Sequence, residues 1–214
     1  RNCSANSRRG GGAAGMRVPA TQATLPSRRR VGISSARRRF FYPLIYDFAS
    51  RQGWLPCFVV VPRSNARDYL QEGFAIRYGA AKEQVDALIA AYRNAGYGCG
   101  HRVCLMLDNR PEHILHFMAL NALGISQVPA NPDYQHHELF YLLDHSEADL
   151  AVVLTKHRAR MDRVAAERAK PLPIVEAGAA LTAMPKAGSP PPGGASSRTS
   201  EAALMYTSGT TGRP

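Results

Sequence analysis

The stretch TSGTTG, residues 207–212, concentrates side chains and backbone groups that suit an anionic ligand. It follows the apolar run AALMY at 202–206, which predicts a short strand leading into a loop. Hydroxyl side chains donate to oxygen atoms, and glycines let the backbone bend and aim its N–H groups at an anion. A triphosphate is the ligand that this chemistry favours. The candidate binding residues are Thr207, Ser208, Gly209, Thr210, Thr211 and Gly212.

This loop differs from the common GxxxxGK[ST] nucleotide-binding loop. Gly209 and Gly212 are three residues apart, and no Lys-Ser or Lys-Thr pair follows them in the chain. A plain Ser/Thr/Gly turn without a ligand is the alternative, because such a motif counts only in its structural context.

Histidine pairs offer a second kind of chemistry, because their spacing would suit a metal ion. His113 and His116 are three apart in a predicted helix, and His136 and His137 precede another. Neither pair has cysteine neighbours or a third converging ligand, so we expect surface or partly buried histidines. No metal ligand and no catalytic residue is assigned within the chain.

Two further sets of residues could carry chemistry but favour structural roles. Asp108 and Glu112 could suggest acid–base work, although a turn and a helix N-terminus account for them better. The four cysteines, at 3, 57, 99 and 104, form no CxxC pair and no disulfide spacing, so we expect free thiols, a loop thiol at Cys99 and a core thiol at Cys104. This usage predicts a reducing, cytoplasmic location.

The net charge of +11 is concentrated in the first 46 residues, which contain ten arginines and no acid. The rest of the chain has 17 lysines and arginines against 16 acids, so its charge is ordinary. Residues 1–46 are therefore predicted to be a basic, low-complexity tail, disordered or spurious. An organelle-targeting segment, a nucleic-acid arm, or translation from upstream of the true start would each produce such a tail.

Apolar strands alternate with amphipathic helices from about residue 80, which predicts an α/β fold with a parallel-rich sheet wrapped by helices. Ligands in such sheets gather outside the carboxyl ends of the strands. No apolar run reaches the length of about 18 residues that a membrane span needs. The predicted helices lie at 81–96, 111–124, 136–148 and 156–169, and the predicted strands at 103–107, 125–129, 149–154 and 172–178, with a further strand-like run at 58–61.

A stretch rich in Pro, Gly and Ser, residues 185–200, precedes the final strand and is predicted to be a flexible connector. Within the second helix, the apolar side chains of Phe117, Met118 and Leu120 are predicted to belong to the core.

The stretch YTSGTTGRP, 206–214, closely resembles the phosphate-binding motif of the adenylate-forming (AMP-binding) superfamily, whose members include acyl-CoA synthetases, luciferases and peptide-synthetase adenylation domains. Residues 100–153 resemble the N-terminal region of the same superfamily through their N-x-P-E turn, VP-x-NP strand end and E-L-x-Y-x-L-x-x-S-x-A helix. VPANPDY, 128–134, is more similar to acyl-CoA and aryl-CoA ligases. The resemblance covers residues 66–214 and implies an incomplete N-terminal part of the large domain, ending inside the phosphate loop.

The resemblance implies an AMP-forming acid–thiol ligase, an acyl-CoA synthetase of fatty acid metabolism for example. Such an enzyme joins a carboxylic acid to ATP as an acyl-adenylate and transfers the acyl group to the thiol of coenzyme A. The loop would hold the β- and γ-phosphates by positioning and electrostatics. The Mg²⁺ ligand and the catalytic lysine are expected beyond Pro214, so this chain alone is expected to be inactive.

Three alternatives stay open at this point. The chain could belong to an adenylation domain that serves a carrier protein, or it could be a non-catalytic remnant. It could also be a nucleic-acid binder that uses the tail, with an affinity that collapses as salt rises; the ordinary charge of the remaining chain disfavours this. The oligomeric state and the acyl substrate are not predicted.

Overall fold

The predicted alternation of strands and helices is present in the computed structural model of the chain. The structure describes residues 59–61, 74–178, 184–195 and 200–206. The basic tail, Cys3 and Cys57 lie outside these residues. The elements are β1 Val59–Val61, β2 Phe74–Ile76, α1 Tyr78–Asn94, β3 Arg102–Met106, α2 Pro111–Ala122, β4 Ser126–Pro129, α3 His136–His145, β5 Leu150–Val153, α4 Thr155–Ala166 and β6 Ile174–Glu176.

Four strands form a parallel sheet in the order β4-β3-β5-β6. Val103 of β3 is aligned with Gln127 of β4 on one side and with Leu150 of β5 on the other. Each crossover from strand to strand contains one helix, as parallel neighbours require. The α/β fold with a parallel sheet is confirmed.

A separate pair of short strands precedes the sheet. Strand β1 pairs with β2 in antiparallel orientation, with Val59 opposite Ile76. The apolar run at 58–61 predicted the first of these strands, but its partner was not predicted from the sequence.

The side chains of β3 alternate between two faces of the sheet, and both faces are covered. Val103 and Leu105, with Leu107 immediately after the strand, join a core cluster with residues of α1 and α2. Cys104 and Met106 join a second cluster with residues of α3 and α4. A strand that is buried on both faces needs apolar residues at successive positions, which explains the continuous run in the sequence.

Helix α1 begins at Tyr78, three residues before the predicted start, and its stripe Val85, Leu88, Ile89 and Tyr92 is buried as predicted. It ends in a Schellman motif. Gly96, with a φ of 93°, donates to the carbonyl of Arg93, and Tyr97 donates to that of Tyr92.

Helix α2 begins with Pro111 at its first position and has Glu112 in its first turn, as predicted. The positive φ of Gly124 ends it by the same motif. Met118 and Leu120 are buried in the core, whereas Phe117 is only half-buried.

Helix α3 has a capping box that the sequence interpretation missed. The backbone N–H of Gln135 donates to Oε2 of Glu138 over 2.6 Å. Leu139, Leu142 and Leu143 are buried as predicted. Burial of each leucine side chain contributes about 2 kcal/mol of transfer free energy, which fixes this helix against the sheet.

The described part of the Pro/Gly/Ser-rich connector, residues 185–195 and 200, has neither helix nor strand, and Ala187 and Gly193 contact the turn between α1 and β3. The N–H of Ala187 donates to the carbonyl of Ala95 over 2.8 Å, and the N–H of Gly193 donates to that of Cys99 over 2.9 Å. No local pattern in the sequence indicates these contacts, and the flexibility of the connector stays a prediction.

Among the described residues, no helix combines the length and the apolar character that a membrane crossing requires.

Candidate functional site

The candidate phosphate loop, Thr207 to Gly212, lies outside the described residues. The structure does describe the segment that leads directly into it, 200–206. The contacts of this segment determine where the loop begins.

The segment extends the parallel sheet beyond β4. Ala203 forms a parallel bridge with Gln127. The N–H of Gln127 donates to the carbonyl of Ala202 over 3.1 Å, and the N–H of Leu204 donates to the carbonyl of Gln127 over 2.9 Å. The predicted final strand is therefore present as this single bridge, and it runs towards the carboxyl end of the sheet.

An ion pair holds the beginning of the segment. Nε of Arg102 lies 3.0 Å from Oε1 of Glu201, and another guanidinium nitrogen of Arg102 donates to the carbonyl of Ser146 over 3.1 Å. The hydrogen bond from Arg102 lowers the pKa of Glu201, although partial burial opposes this shift. Because Arg102 belongs to β3, the pair connects the segment to the centre of the sheet.

An aromatic cluster holds the end of the segment. The hydroxyl of Tyr206 lies 2.8 Å from Nδ1 of His145. The Tyr206 ring stands edge-on to His145 and to Tyr141, at centroid distances of 5.7 Å and 6.3 Å. Burial raises the pKa of the Tyr206 hydroxyl, which keeps it protonated and able to donate. The residue immediately before Thr207 is therefore fixed on α3.

At the carboxyl end of β3, Asp108 forms a charged cluster with Lys156 and His157, which the sequence analysis did not predict. Asp108 has a φ of 53°, a left-handed conformation that Asp tolerates better than most residues. One of its carboxylate oxygens lies 2.7 Å from Nε2 of His157, and the other pairs with Nζ of Lys156. Burial raises the pKa of Asp108, but the hydrogen bonds from Lys156 and His157 outweigh it and lower the pKa overall. The carboxylate is therefore held ionised.

Asp108 and Glu112, the two acidic residues that could suggest acid–base chemistry, have separate partners. Asp108 binds the first turn of α4, whereas Glu112 pairs with Arg110 over 3.1 Å in the turn that starts α2. The expected turn and helix-terminus roles agree with these contacts. A signal for the Asp108 group was present in the sequence, because Lys156 and His157 follow a predicted strand directly.

The paired histidines have partners other than a metal. Nδ1 of His116 lies 2.7 Å from the hydroxyl of Tyr92, and Nε2 of His136 lies 2.9 Å from Oε1 of Glu167. In the part of the chain that the structure describes, no group of three or more His, Cys, Asp or Glu side chains could hold a metal ion. Cys99 is half-buried and Cys104 is buried, both as free thiols.

The family model described as "AMP-binding enzyme" matches residues 59–214, which is well over half of the chain. The chain belongs to this family. The resemblance of the TSGTTG loop and of residues 100–153 to the adenylate-forming superfamily is therefore confirmed, and the loop lies within the matched range.

Curated relatives within the family differ in their reactions. The chain is 39% identical over 72 residues to a vibriobactin-specific 2,3-dihydroxybenzoate-AMP ligase of Vibrio cholerae, covering 34% of this chain and 13% of that protein. It is 30% identical over 148 residues to a sulfoacetate–CoA ligase of Cupriavidus necator, covering 66% and 29%. It is 27% identical over 143 residues to tyrocidine synthase 3 of Brevibacillus parabrevis, covering 65% and 2%. The chain thus spans under a third of the length of each of these relatives.

Solved structures with the same fold include a long-chain-fatty-acid-CoA ligase from Archaeoglobus fulgidus, with a TM-score of 0.63 and 19% identity over 80% of this chain and 35% of that chain. VinN in complex with 3-methylaspartate gives a TM-score of 0.61 and 18% identity over 82% and 45%. ATP-bound MatB from Rhodopseudomonas palustris gives 0.51 and 25% identity over 66% and 29%. The first two likenesses establish the fold alone.

Proposed function

We propose that the protein carrying this chain is an ATP-dependent acid–thiol ligase that activates a carboxylic acid as an acyl-adenylate and transfers it to coenzyme A. The observation that supports this most is the TSGTTG sequence motif in a chain of the AMP-binding family, directly after a segment that is bridged to Gln127 of β4. The sulfoacetate–CoA ligase match supports coenzyme A as the acceptor.

In the first step, a carboxylate oxygen attacks the α-phosphorus of ATP. The bond from that phosphorus to the bridging oxygen of the β-phosphate breaks, and pyrophosphate leaves. The hydroxyls of Thr207, Ser208, Thr210 and Thr211 and the N–H groups at Gly209 and Gly212 would donate to the β- and γ-phosphates. They would neutralise the charge that develops on the leaving pyrophosphate, which is an electrostatic and positioning role.

In the second step, the thiol sulfur attacks the carbonyl carbon of the acyl-adenylate, and the carbon–oxygen bond to AMP breaks. The products are a thioester and AMP, and the thiol proton is released to solvent.

A second candidate is an adenylation domain that transfers its acyl group to a carrier protein. The matches to tyrocidine synthase 3 and bacitracin synthase 3, each at 27% identity, favour it. The two candidates share the first step and differ only in the thiol that accepts the acyl group.

Product analysis distinguishes these candidates. Protein expressed from the complete reading frame is incubated with ATP, Mg²⁺, coenzyme A and one acid at a time: sulfoacetate, 2,3-dihydroxybenzoate, a long-chain fatty acid or an amino acid. Mass spectrometry then follows AMP and the acyl-CoA thioester. The proposal predicts both products in equal amounts with at least one acid. Acid-dependent release of pyrophosphate without an acyl-CoA thioester would support the second candidate. Absence of pyrophosphate release with every acid would contradict both candidates, because both begin with formation of the acyl-adenylate.

A further inference from the structure

The strand that leads into the phosphate loop is held to the sheet by very few backbone contacts. Among the described residues, backbone pairing with it is limited to Gln127, through the two hydrogen bonds to Ala202 and Leu204. A pairing this short does not define register by itself, because each backbone hydrogen bond contributes only about 1 kcal/mol net. Register in a sheet is otherwise set by which side chains face the core.

In the segment 200–206, the side chains determine the register. Leu204 and Tyr206 pack against the core cluster on the α3 and α4 side of the sheet, whereas Met205 between them is 67% exposed. A slip of one residue would expose the Tyr206 ring and turn Met205 inward. The observed register therefore depends on the packing of Leu204, on the ion pair between Glu201 and Arg102, and on the residues that contact Tyr206.

Tyr206 packs against Tyr141 and His145, which lie one helical turn apart on α3. The rings of Tyr141 and His145 are stacked with centroids 5.2 Å apart and planes inclined by 18°. Tyr206 stands nearly perpendicular to both, at 90° and 85°, and places its hydroxyl 2.8 Å from Nδ1 of His145. This edge-to-face arrangement is one that aromatic rings prefer, and the hydrogen bond selects a single orientation of the ring.

We propose that Tyr206 is a positioning residue for the phosphate loop, and that its hydrogen bond to His145 and its contact with Tyr141 help to fix the register of the segment 200–206, which precedes Thr207 to Gly212 in the chain. This inference rests on the proposed function, since it assigns Tyr206 to the same site. Tyr206 acts through the loop and is not assigned a contact with substrate.

The contacts of Tyr206 with His145 and Tyr141 are called the anchor below. Amide hydrogen exchange of the loop tests the effect of the anchor in a measurement that needs no ATP. In protein expressed from the complete reading frame, Tyr206→Phe removes the hydroxyl and should speed amide exchange at 207–212 about fivefold, the effect of one net hydrogen bond. Tyr206→Leu also removes the ring contacts and should speed exchange further. Amides of α3 should exchange as in the parent protein. Met205→Leu, at the exposed neighbour, is the matched control and should change nothing.

A double-mutant cycle shows whether His145 is the partner through which Tyr206 acts. His145→Ala should speed loop exchange as Tyr206→Phe does, and combining the two should add little, because both remove the same bond. Independent, fully additive effects would overturn the assignment to this pair. Unchanged loop exchange in both Tyr206→Phe and Tyr206→Leu would overturn the proposal as a whole.

Kinetics separate this proposal from the proposed function. Loss of the anchor should raise the KM for ATP about fivefold and leave the KM for the acid unchanged, because the proposed function assigns the loop to the phosphates of ATP and not to the acid. If the parent protein shows no acid-dependent reaction but the variants still speed loop exchange, the proposed function fails and the anchor stands. If the parent is active and neither variant changes the KM for ATP, the positioning role fails and the proposed function stands.

Discussion

Nδ1 of His116 lies 2.7 Å from the hydroxyl of Tyr92, and both side chains are buried between α1 and α2. Burial, with a smaller contribution from the charge of His113, lowers the pKa of His116 to about 4. The imidazole is therefore neutral at pH 7. Burial also raises the pKa of Tyr92, so the tyrosine donates and the histidine accepts. In the core, the Tyr92 hydroxyl and Nδ1 of His116 are each other's hydrogen-bond partner in place of water.

This pair predicts a loss of stability in mild acid. The unfolded histidine gains a proton as the pH falls through about 6.5, whereas folded His116 gains one only near pH 4, so the unfolded chain binds more protons in between. The contribution is complete above pH 6.5 and falls from there to pH 4. Between pH 7 and pH 5, the free energy of unfolding should drop by about 2 kcal/mol from this group.

Urea unfolding at both pH values measures the drop. His116→Gln cannot gain a proton and should remove this part of the pH dependence, whereas His137→Gln, at an exposed histidine, should retain it. Equal pH dependence in the parent and in His116→Gln would contradict the assignment.

Removal of the Tyr92 hydroxyl tests the hydrogen bond between Tyr92 and His116 by deleting its donor. Tyr92→Phe keeps the ring in the core but leaves Nδ1 of His116 buried without a donor, which should cost about 1–3 kcal/mol of unfolding free energy. Tyr134→Phe, at a half-buried tyrosine, should change stability by less than about 0.5 kcal/mol. Equal urea midpoints for the two variants would show that the buried bond contributes nothing.

Replacement of glycine by alanine should change the free energy of unfolding in opposite directions at different positions around α1. The change should be stabilising at Gly79 and destabilising at Gly96 and Gly100. Gly79→Ala should stabilise by about 0.5–1 kcal/mol, because the position is helical and a Cβ there meets nothing within 4 Å. Gly96→Ala should destabilise by about 1–2 kcal/mol from its φ of 93° alone, since its Cβ would only touch Ala187 at 3.6 Å.

Gly100→Ala should cost at least about 1 kcal/mol more than Gly96→Ala. The φ values are similar, but a Cβ on Gly100 would lie 2.8 Å from Cγ of Pro192 and 2.9 Å from the backbone nitrogen of Gly193. Thermal or urea unfolding of the three variants gives the order. Equal costs at Gly96 and Gly100 would mean that the connector does not pack against this turn.

The elements that the sequence predicted well are those whose cause is local. The stripe from Val85 to Tyr92, the proline at the start of α2 and the leucines of α3 each define a helix within one or two turns of chain. Likewise, the apolar run of β3 predicts a strand that is buried on both faces. Such patterns depend on helical or strand periodicity and on capping, which a single sequence displays directly.

The features that the sequence did not predict depend on contacts between distant residues. The β1–β2 pairing, the packing of Pro192 on Gly100 and the hydrogen bond between His145 and Tyr206 join residues that no local pattern connects. The strand order β4-β3-β5-β6 is also a property of the folded sheet. The phosphate-binding role of Thr207 to Gly212 stays a prediction from the loop motif, whereas the contact between Tyr206 and His145 became visible only in three dimensions.

Acid-dependent exchange of pyrophosphate into ATP tests most directly the claim that Thr207 to Gly212 hold the phosphates of ATP. The measurement uses protein from the complete reading frame, at saturating acid, with Gly209→Ala, Thr210→Ala and, as a matched control outside the family match, Thr21→Ala. Thr210→Ala removes a hydroxyl donor to a charged phosphate, and Gly209→Ala adds a methyl group where the backbone must bend towards the phosphates, so each should slow exchange about 10- to 100-fold. Thr21→Ala should exchange at the parent rate. Parent-like exchange in both loop variants would contradict the account.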